Sequence, residues 1–369
     1  MKLKKRTKRI MLIIIGIILL LLIYVGAKTW VAVGKLPMGE RLERVKQSSH
    51  YNGKEFVNTI DTREVTAEDG TLKAWWNFLF KKVKDLNPSS PIPSEKIDLK
   101  NIGREEEIVV WLGHSSVFIQ TNGKRYLFDP VLESGLPVSL YMNAYKGSNI
   151  YHAEYIPEVD YLIITHNHFD HLDYPTVKKM KDKVKNVVCA LGIGESFEYW
   201  GYDKDKIHDL DWGESIQVDE TTKLYCLPAR HFSGRLYGNN KTFWASYMIA
   251  GEKNIYLTGD SGYDEHYKEV KEQFPEIDLA IMENGQYDKD WKDIHTMPEE
   301  LVKELETLQP KKVLTYHNAK FTLGKHAWYE PLELIYKASQ GKPYKLLTPK
   351  IGEKVQLDHE QTFSTWWRK

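Results

Sequence analysis

The chain has 369 residues, of which 42% are hydrophobic, and its 51 basic and 51 acidic residues balance to a formal net charge of zero. A chain of this length can bury a large core, and we expect one large domain with an N-terminal extension. The balanced charge gives no electrostatic basis for binding nucleic acid, so we predict no nucleic-acid partner. The two cysteines, Cys189 and Cys226, lie in apolar runs without metal-binding spacing. We interpret them as core thiols, with a disulfide as the alternative.

The N-terminus combines a basic cluster with a long apolar run. Lysines and arginines crowd residues 2–9, and residues 10–27 carry no charge. A helix of this length extends about 27 Å, close to the thickness of the hydrocarbon core of a bilayer. The pattern predicts a single-pass anchor in the cell membrane, with the rest of the chain on the outer face. A cleaved signal peptide is the alternative, because Val25-Gly26-Ala27 is similar to a cleavage site.

Residues 29–103 show no regular periodicity and predict a stalk and lead-in arm, with a linker rich in proline and serine at residues 87–94. Within this arm, residues 72–86 carry aromatic side chains such as Trp75 and Trp76, followed by lysines. Such a segment either lies in a membrane interface, with its lysines among phosphates, or forms a short helix packed on the main domain.

Regular strand and helix patterns begin after residue 103. An Asn-Gly pair at residues 122–123 separates two β-prone runs, which is typical of a hairpin. The predicted strands are residues 108–112, 116–120, 124–128, 161–165, 187–190, 223–227, 243–249, 254–258, 278–282 and 312–315, and the predicted helices are residues 175–183, 262–273, 298–308 and 331–339. Thr296 is the predicted N-cap of the third helix, with Glu299 three residues later.

Strands with helices set between them predict an α/β domain in which two sheets pack together under outer helices. The predicted division of the chain is therefore residues 1–28 for the basic N-terminus and anchor, 29–103 for the arm, and 104–369 for the main domain.

A dense group of polar residues directly follows the predicted strand at residues 161–165. It has the sequence HNHFDH, from His166 to His171. Extended residues two apart point the same way, so His166 and His168 can converge on one metal ion, while Asp170 and His171 can address a second. Imidazole nitrogen and carboxylate oxygen are ligands that zinc accepts readily, although Mn or Fe can also occupy such sites. The density of these groups predicts a metal site rather than a solvated polar loop.

Further metal-competent residues follow other apolar strands in the same way. His231, Asp260 and His317 are each the first such residue after a strand. This placement would bring them to one rim of the sheets, where they would supply the ligands that the HNHFDH segment lacks.

The order and spacing of these residues resemble the signature of the metallo-β-lactamase superfamily, over residues 107–345. The resemblance implies an αββα sandwich with two Zn²⁺ ions and a catalytic domain at residues 104–369. It implies that His166, His168 and His231 hold one ion, that Asp170, His171 and His317 hold the other, and that Asp260 bridges them.

Softer motifs resemble the branch of N-acyl-phosphatidylethanolamine-hydrolysing phospholipase D and its bacterial relatives, and related lactonases share several of them. These motifs are WLGHSS at residues 111–116, LFDP at 127–130, TGDSGY at 258–263, HTMPEE at 295–300 and the tract at 317–331. The branch implies cleavage of a phosphodiester by a hydroxide that bridges the two ions, with no side-chain nucleophile. The predicted catalytic residues are Asp170, Asp260 and His295.

Other residues are candidates for supporting roles. Asp129 would either fix the tautomer of a ligating imidazole or cap a turn. His114, Arg235 and Tyr263 are predicted substrate contacts, with a structural role as the alternative for His114, and Glu283 is a further candidate; a guanidinium such as that of Arg235 matches a phosphate fork. The histidines without partners in the pattern are predicted at the surface, namely His50, His152, His208, His266, His326 and His359.

Three functions remain open. The first is a hydrolase of a membrane phospholipid or other phosphodiester, in which the aromatic residues of the arm or Trp366 and Trp367 give the lipid an apolar approach. The second is a metallo-lactonase or a small soluble phosphodiesterase of the same fold, for which the anchor only fixes location. The third is a non-enzymatic scaffold, against which the complete ligand set argues.

Overall fold

The computed structural model describes residues 2–134, 138–140 and 142–368. The helices are α1 (Lys2–Val33), α2 (Gly39–Gln47), α3 (Thr71–Phe80), α4 (Tyr174–Met180), α5 (Gly194–Tyr199), α6 (His266–Gln273), α7 (Pro298–Leu308) and α8 (Glu330–Ala338). The strands are β1 (Ile108–Trp111), β2 (Val117–Thr121), β3 (Lys124–Phe128), β4 (Val159–Ile164), β5 (Val184–Ala190), β6 (Ile207–Leu210), β7 (Ser215–Gln217), β8 (Lys223–Leu227), β9 (Ser246–Ala250), β10 (Asn254–Leu257), β11 (Leu279–Glu283), β12 (Lys312–Tyr316), β13 (Lys345–Leu347) and β14 (Lys354–Gln356).

The described strands form two seven-stranded sheets, ordered β14-β1-β2-β3-β4-β5-β6 and β13-β12-β11-β10-β9-β8-β7. Strands β3 to β6 pair in parallel, as do β10 to β13. One apolar core lies between the sheets, α4 and α5 cover the first sheet, and α6, α7 and α8 pack on the outer face of the second. The predicted αββα sandwich is therefore confirmed.

The parallel strands set the position of the polar loops. Strands β4 and β11 are buried over their whole length, as expected for strands covered on both faces. Parallel strands of one sheet end at the same edge of that sheet. The loops after β10, β11 and β12 therefore emerge together from the second sheet, and the loop after β4 emerges from the first sheet beside them. This edge carries the residues that the sequence singles out.

Several boundaries differ from the predictions. The predicted helix at residues 262–273 begins only at His266, and the short elements α5, β6 and β7 carried too little periodicity to be predicted. The predicted cap Thr296 is wrong, because Met297 is the N-cap of α7 and its N–H donates to Glu300. The Thr296 hydroxyl lies instead within hydrogen-bond distance of the carbonyl of Ser261, at 2.7 Å, and of Oε1 of Glu304, at 2.8 Å.

The first helix is long and apolar enough to cross a membrane, a property that a signal sequence shares. In the span Arg6–Val33, the most apolar window is wholly exposed in the structure. Its last turn, however, contacts the domain, since the indole Nε1 of Trp200 donates to the carbonyl of Val31 at 2.8 Å.

The arm packs along the two sheets and contains two helices. Phe56 is buried in the main core, and Arg41 of α2 bonds to Asp209 of β6 at 2.7 Å. In α3, Phe78 makes an edge contact with Trp291, whereas Trp76 remains 61% exposed. The helix thus packs on the domain by one side and presents aromatic surface on another. The side chain of Trp75 lies outside the described residues.

Three surface predictions are corrected by burial. Trp366 and Trp367 are 1% and 3% exposed, so they form core rather than an apolar approach for a lipid. His266 and His326, predicted at the surface, are also buried. The prediction for the cysteines is confirmed, because both are buried free thiols.

Candidate metal centre

The loop after β4 brings its histidines together at the edge of the first sheet. The Nε2 atom of His166 lies 2.8 Å from Nδ1 of His168. His231, in the loop after β8, approaches the same point, with its Nε2 atom 3.2 Å from Nδ1 of His168. These three side chains form the first donor set.

A second donor set lies beside the first. The Nε2 atom of His171 is 3.4 Å from Nε2 of His317, which follows β12. That His317 nitrogen is also 3.4 Å from Oδ2 of Asp170. Strands β4 and β12 belong to different sheets, so this set forms where the edges of the two sheets meet.

The carboxylate of Asp260 lies between the two sets. Its Oδ2 atom is 3.1 Å from Nε2 of His171 and 3.2 Å from Nε2 of His317. The same oxygen is 3.9 Å from Nε2 of His231 in the first set. The structure therefore brings together all seven residues that were predicted as ligands.

The donor atoms fit a pair of divalent cations. Ligands at about 2.0–2.1 Å from one tetrahedral ion lie about 3.3 Å apart. The separations between His168 and its two partners, and among the three residues of the second set, range from 2.8 to 3.6 Å. No donor among the described residues reaches the buried Oδ1 atom of Asp260. A buried carboxylate oxygen without a donor is costly unless a cation satisfies it.

The electrostatics of the two sets differ. Burial and the neighbouring imidazoles lower the pKa values of His166 and His168 well below the usual range. Burial also opposes the charged form of His317, but the carboxylates of Asp260 and Asp170 outweigh it and raise its pKa to about 10. The second set thus has the negative potential that stabilises a cation, and the first offers neutral imidazoles, the form that binds metals.

Asp129 is hydrogen-bonded to the start of the loop and to one of its candidate ligands. Its Oδ2 atom is 2.8 Å from Nδ1 of His171, and Thr165 donates to both of its oxygens. A carboxylate in this position accepts the Nδ1 proton, which leaves Nε2 of His171 unprotonated for a metal. Asp129 and His317 both have positive φ angles, of 40° and 65°. Such backbone is uncommon outside glycine and here directs side chains into the site.

The other predicted residues take different places. His114 is fully buried, and its Nε2 atom lies 2.9 Å from Oδ2 of Asp170, so it contacts a candidate ligand. Tyr263 packs its ring beside Tyr267 and near Lys303, outside the donor sets. The guanidinium of Arg235 is engaged by backbone carbonyls, which include that of Asn167 at 2.6 Å.

His295 lies beside the second set, and its ring stacks on that of His317 with centroids 5.6 Å apart. Its Nδ1 atom is hydrogen-bonded to the buried carboxylate of Glu283, which ends β11. The signal for Glu283 is the one that identified Asp260, a charged residue directly after an apolar strand.

One supporting residue was missed. Asn58 of the arm accepts a hydrogen bond from the N–H of His231 at 3.1 Å and donates to its carbonyl at 2.8 Å. These two hydrogen bonds fix the backbone of His231, a candidate ligand. Nothing local in the sequence marks Asn58, because its partner lies 173 residues away.

A family model described as a beta-lactamase superfamily domain matches residues 124–318, which include this centre. The chain belongs to the metallo-β-lactamase superfamily. It resembles the branch of N-acyl-phosphatidylethanolamine-hydrolysing phospholipase D, and its family and its His/Asp cluster support the assignment as a metal-dependent hydrolase.

The similarity to two relatives extends over most of the chain. An uncharacterised protein of Mycobacterium tuberculosis is 30% identical over 329 residues, and the match covers 88% of each chain. The N-acyl-phosphatidylethanolamine-hydrolyzing phospholipase D 1 of Caenorhabditis elegans is 28% identical, covering 74% of this chain and 81% of its own. Outer membrane protein RomA of Klebsiella pneumoniae is 46% identical over 103 residues, which are 28% of this chain and 78% of that protein.

Two solved structures share the fold of the chain. The isothiocyanate hydrolase from Delia radicum gut bacteria superposes with a TM-score of 0.53 at 20% identity, covering 67% of this chain and 98% of that one. The diiron β-hydroxylase CmlA from Streptomyces venezuelae has a TM-score of 0.52 at 19% identity, covering 68% and 54%. At these identities the likeness concerns the architecture alone.

Proposed function

We propose that the chain hydrolyses a phosphodiester bond of a membrane phospholipid, in the manner of an N-acyl-phosphatidylethanolamine-hydrolysing phospholipase D, with two Zn²⁺ ions. The observation that carries this proposal is the position of the Asp260 carboxylate, whose Oδ2 atom faces the His171 and His317 nitrogens of one donor set and the His231 nitrogen of the other. The 28% identity to the C. elegans phospholipase D supports the substrate class.

In this proposal each donor set holds one cation. His166, His168 and His231 would hold the first, Asp170, His171 and His317 would hold the second, and Asp260 would supply a carboxylate between them. When bound, such a pair of ions supplies hydroxide from water at neutral pH and neutralises charge on phosphoryl oxygens. Because these two functions need no side-chain nucleophile, the remaining residues are left to orient groups and to move protons.

Asp170 and Asp260 orient the reacting groups. Asp170 is held by His114, whose Nε2 atom lies 2.9 Å from its Oδ2 atom. A carboxylate held in this way cannot rotate away when substrate enters, and the geometry is established before the reaction begins.

His295 is the proposed proton donor. Since its Nδ1 atom is bonded to Glu283, its Nε2 atom is the one that can reach substrate. Attack of water at phosphorus breaks the bond to the headgroup alkoxide, and the proton released by that water returns to the alkoxide through His295. The products are phosphatidic acid and the free alcohol, so atoms and charges balance.

The experiment uses the purified full-length protein, loaded with Zn²⁺ and incubated with vesicles that contain N-acyl-phosphatidylethanolamine. We expect phosphatidic acid and N-acylethanolamine in equal amounts. A lactone and a small soluble phosphodiester are assayed in parallel. Lactone opening or hydrolysis of the soluble diester without any phosphatidic acid would overturn the proposed substrate.

A further inference from the structure

The guanidinium of Arg235 joins the end of α1 to the loop of candidate ligands. Its Nε atom donates to the carbonyl of Asn167 at 2.6 Å, and its Nη atoms donate to the carbonyls of Ala32 and Leu172. The ring of Phe169 lies 4.5 Å from the guanidinium carbon. Because Ala32 belongs to the last turn of α1, a single side chain fixes the metal-site loop relative to the apolar helix.

The loop that contains Arg235 makes two further contacts, one with the end of α1 and one with the residues that follow it. The rings of Trp30 and Tyr237 stack with centroids 5.9 Å apart. Gly238 lies against Leu36, so close that a Cβ atom on the glycine would fall 2.7 Å from a methyl carbon. These contacts give the helix one orientation with respect to the donor sets.

The charge pattern of α1 places these contacts at the level of lipid headgroups. The uncharged run ends at Ala27, and Lys28 is exposed. Lysines at the end of a membrane span extend toward the phosphates. Ala32 is four residues further on, which is about 6 Å along a helix, comparable to the headgroup layer of about 5–7 Å on each side of a bilayer.

The loop surface also has the composition of an interfacial contact. Leu236 is 64% exposed, Trp30 is 65% exposed and Tyr237 is 38% exposed. Tryptophan and tyrosine are enriched where a membrane meets water. His231, a candidate ligand, precedes Tyr237 by six residues in the sequence, so the chain between them spans at most about 22 Å.

We propose that Trp30, Leu236 and Tyr237 form a membrane-contact surface whose partner is the headgroup layer of the leaflet that α1 leaves. The donor sets then lie beside that layer, and the site takes its phosphodiester from the same membrane that holds the helix. This inference rests on α1 spanning the bilayer and, for the substrate, on the proposed function. The surface itself is independent of turnover.

The test measures depth in the bilayer without any reaction. Because Cys189 and Cys226 are both buried, a cysteine introduced at Leu236 can be labelled selectively with an environment-sensitive fluorophore in the full-length protein. In phosphatidylcholine vesicles we expect lipids brominated near the headgroup to quench this label strongly. A label at Leu236→Cys or Tyr237→Cys should also be shielded from aqueous iodide.

The control position is Leu334→Cys, on α8 at the opposite outer layer of the sandwich, where the native leucine is 38% exposed. Its label should respond to iodide and not to brominated lipid. Labels at both loop positions that behave like the control would overturn the proposal. Shielding from iodide that appears in detergent and disappears when the protein is diluted would show that a second copy of the chain covers this surface. That result would also overturn the proposal.

The same vesicles distinguish this inference from the proposed function. Quenching of the loop labels without release of phosphatidic acid supports the membrane-contact surface and counts against the phospholipid substrate alone. Release of phosphatidic acid without quenching at either loop position supports the substrate and overturns the surface.

Discussion

The Nδ1 atom of His295 is hydrogen-bonded to Oε1 of Glu283, a side chain that is 1% exposed. The second oxygen of that carboxylate accepts the backbone N–H of Ser261 at 2.7 Å. When Nδ1 of His295 carries the proton, Glu283 needs two acceptor atoms at once. An ionised carboxylate supplies them, whereas an amide of the same shape supplies one.

We expect Glu283→Gln to lower kcat by about 10- to 100-fold while KM and the metal content stay close to those of the wild type. The NH2 group of the introduced amide must face either the N–H of Ser261, which is also a donor, or Nδ1 of His295. In the second case His295 must carry its proton on Nε2 instead of Nδ1. Steady-state kinetics on the vesicle substrate measure the change. In a His295→Gln background, the same substitution should have little further effect, because Glu283 acts through His295.

The matched control for this substitution is Glu276→Gln, which alters an exposed glutamate paired with Lys311. It should leave kcat unchanged. Equal losses in both variants, or additive losses in the double variant, would contradict a positioning role for Glu283.

Asp260→Asn should lower the metal content to at most one ion per chain and reduce turnover by at least about 100-fold. The substitution removes the negative charge of the carboxylate whose Oδ2 atom lies within 3.9 Å of nitrogens from both donor sets. Metal analysis by mass spectrometry, together with the phosphatidic acid assay, checks both effects. Asp264→Asn, which alters a buried carboxylate four residues along the same loop, should retain two ions. If the Asp260→Asn protein still binds two ions, this carboxylate is not needed by both donor sets, and the prediction is contradicted.

The donor sets could be anticipated because each residue is marked locally. His231, Asp260 and His317 follow apolar runs. The strands before Asp260 and His317 belong to the parallel part of one sheet and end at a common edge. Strand β8, before His231, runs in the same direction as β10 because both pair antiparallel with β9. The two-sheet architecture could be predicted for the same reason, since its central strands are continuous apolar segments.

Other features depend on partners far along the chain. Asn58 reaches His231 from the arm, and Arg235 bonds to Ala32, which precedes it by 203 residues. Neither residue belongs to a periodic pattern. The sequence places a guanidinium near the site, which predicts a phosphate contact for Arg235. It does not indicate the backbone carbonyls to which that guanidinium donates.

Arg41→Met should lower the free energy of unfolding by about 2–4 kcal/mol, because it leaves a buried carboxylate without its cation. The Arg41 side chain is 11% exposed and bonds to Asp209, which is 6% exposed, and also to Glu195. Urea unfolding of the full chain in detergent measures the loss. Arg44→Met is the matched control, since Arg44 and its partner Glu214 are 45% and 44% exposed and such pairs contribute less than about 1 kcal/mol. Similar losses in the two variants would contradict the effect of burial.

Lys320 gives the fold a stability that rises with pH. Its ammonium group is fully buried and donates to the carbonyl of Val131 at 2.8 Å, and burial lowers its pKa to about 7. In the unfolded chain a lysine has a pKa of about 10.4, so between pH 7 and 10 the unfolded state binds more protons, and the cost that this buried amine adds to folding becomes smaller as the pH rises. The wild type should therefore gain about 2–3 kcal/mol between pH 7 and 9.5 relative to Lys320→Met, as measured by urea unfolding at both pH values.

The same substitution at the exposed Lys303 controls for the loss of one positive charge. A difference between wild type and Lys320→Met that does not change with pH would mean that the amine stays charged in the folded protein across this range, with a pKa close to that of the unfolded chain.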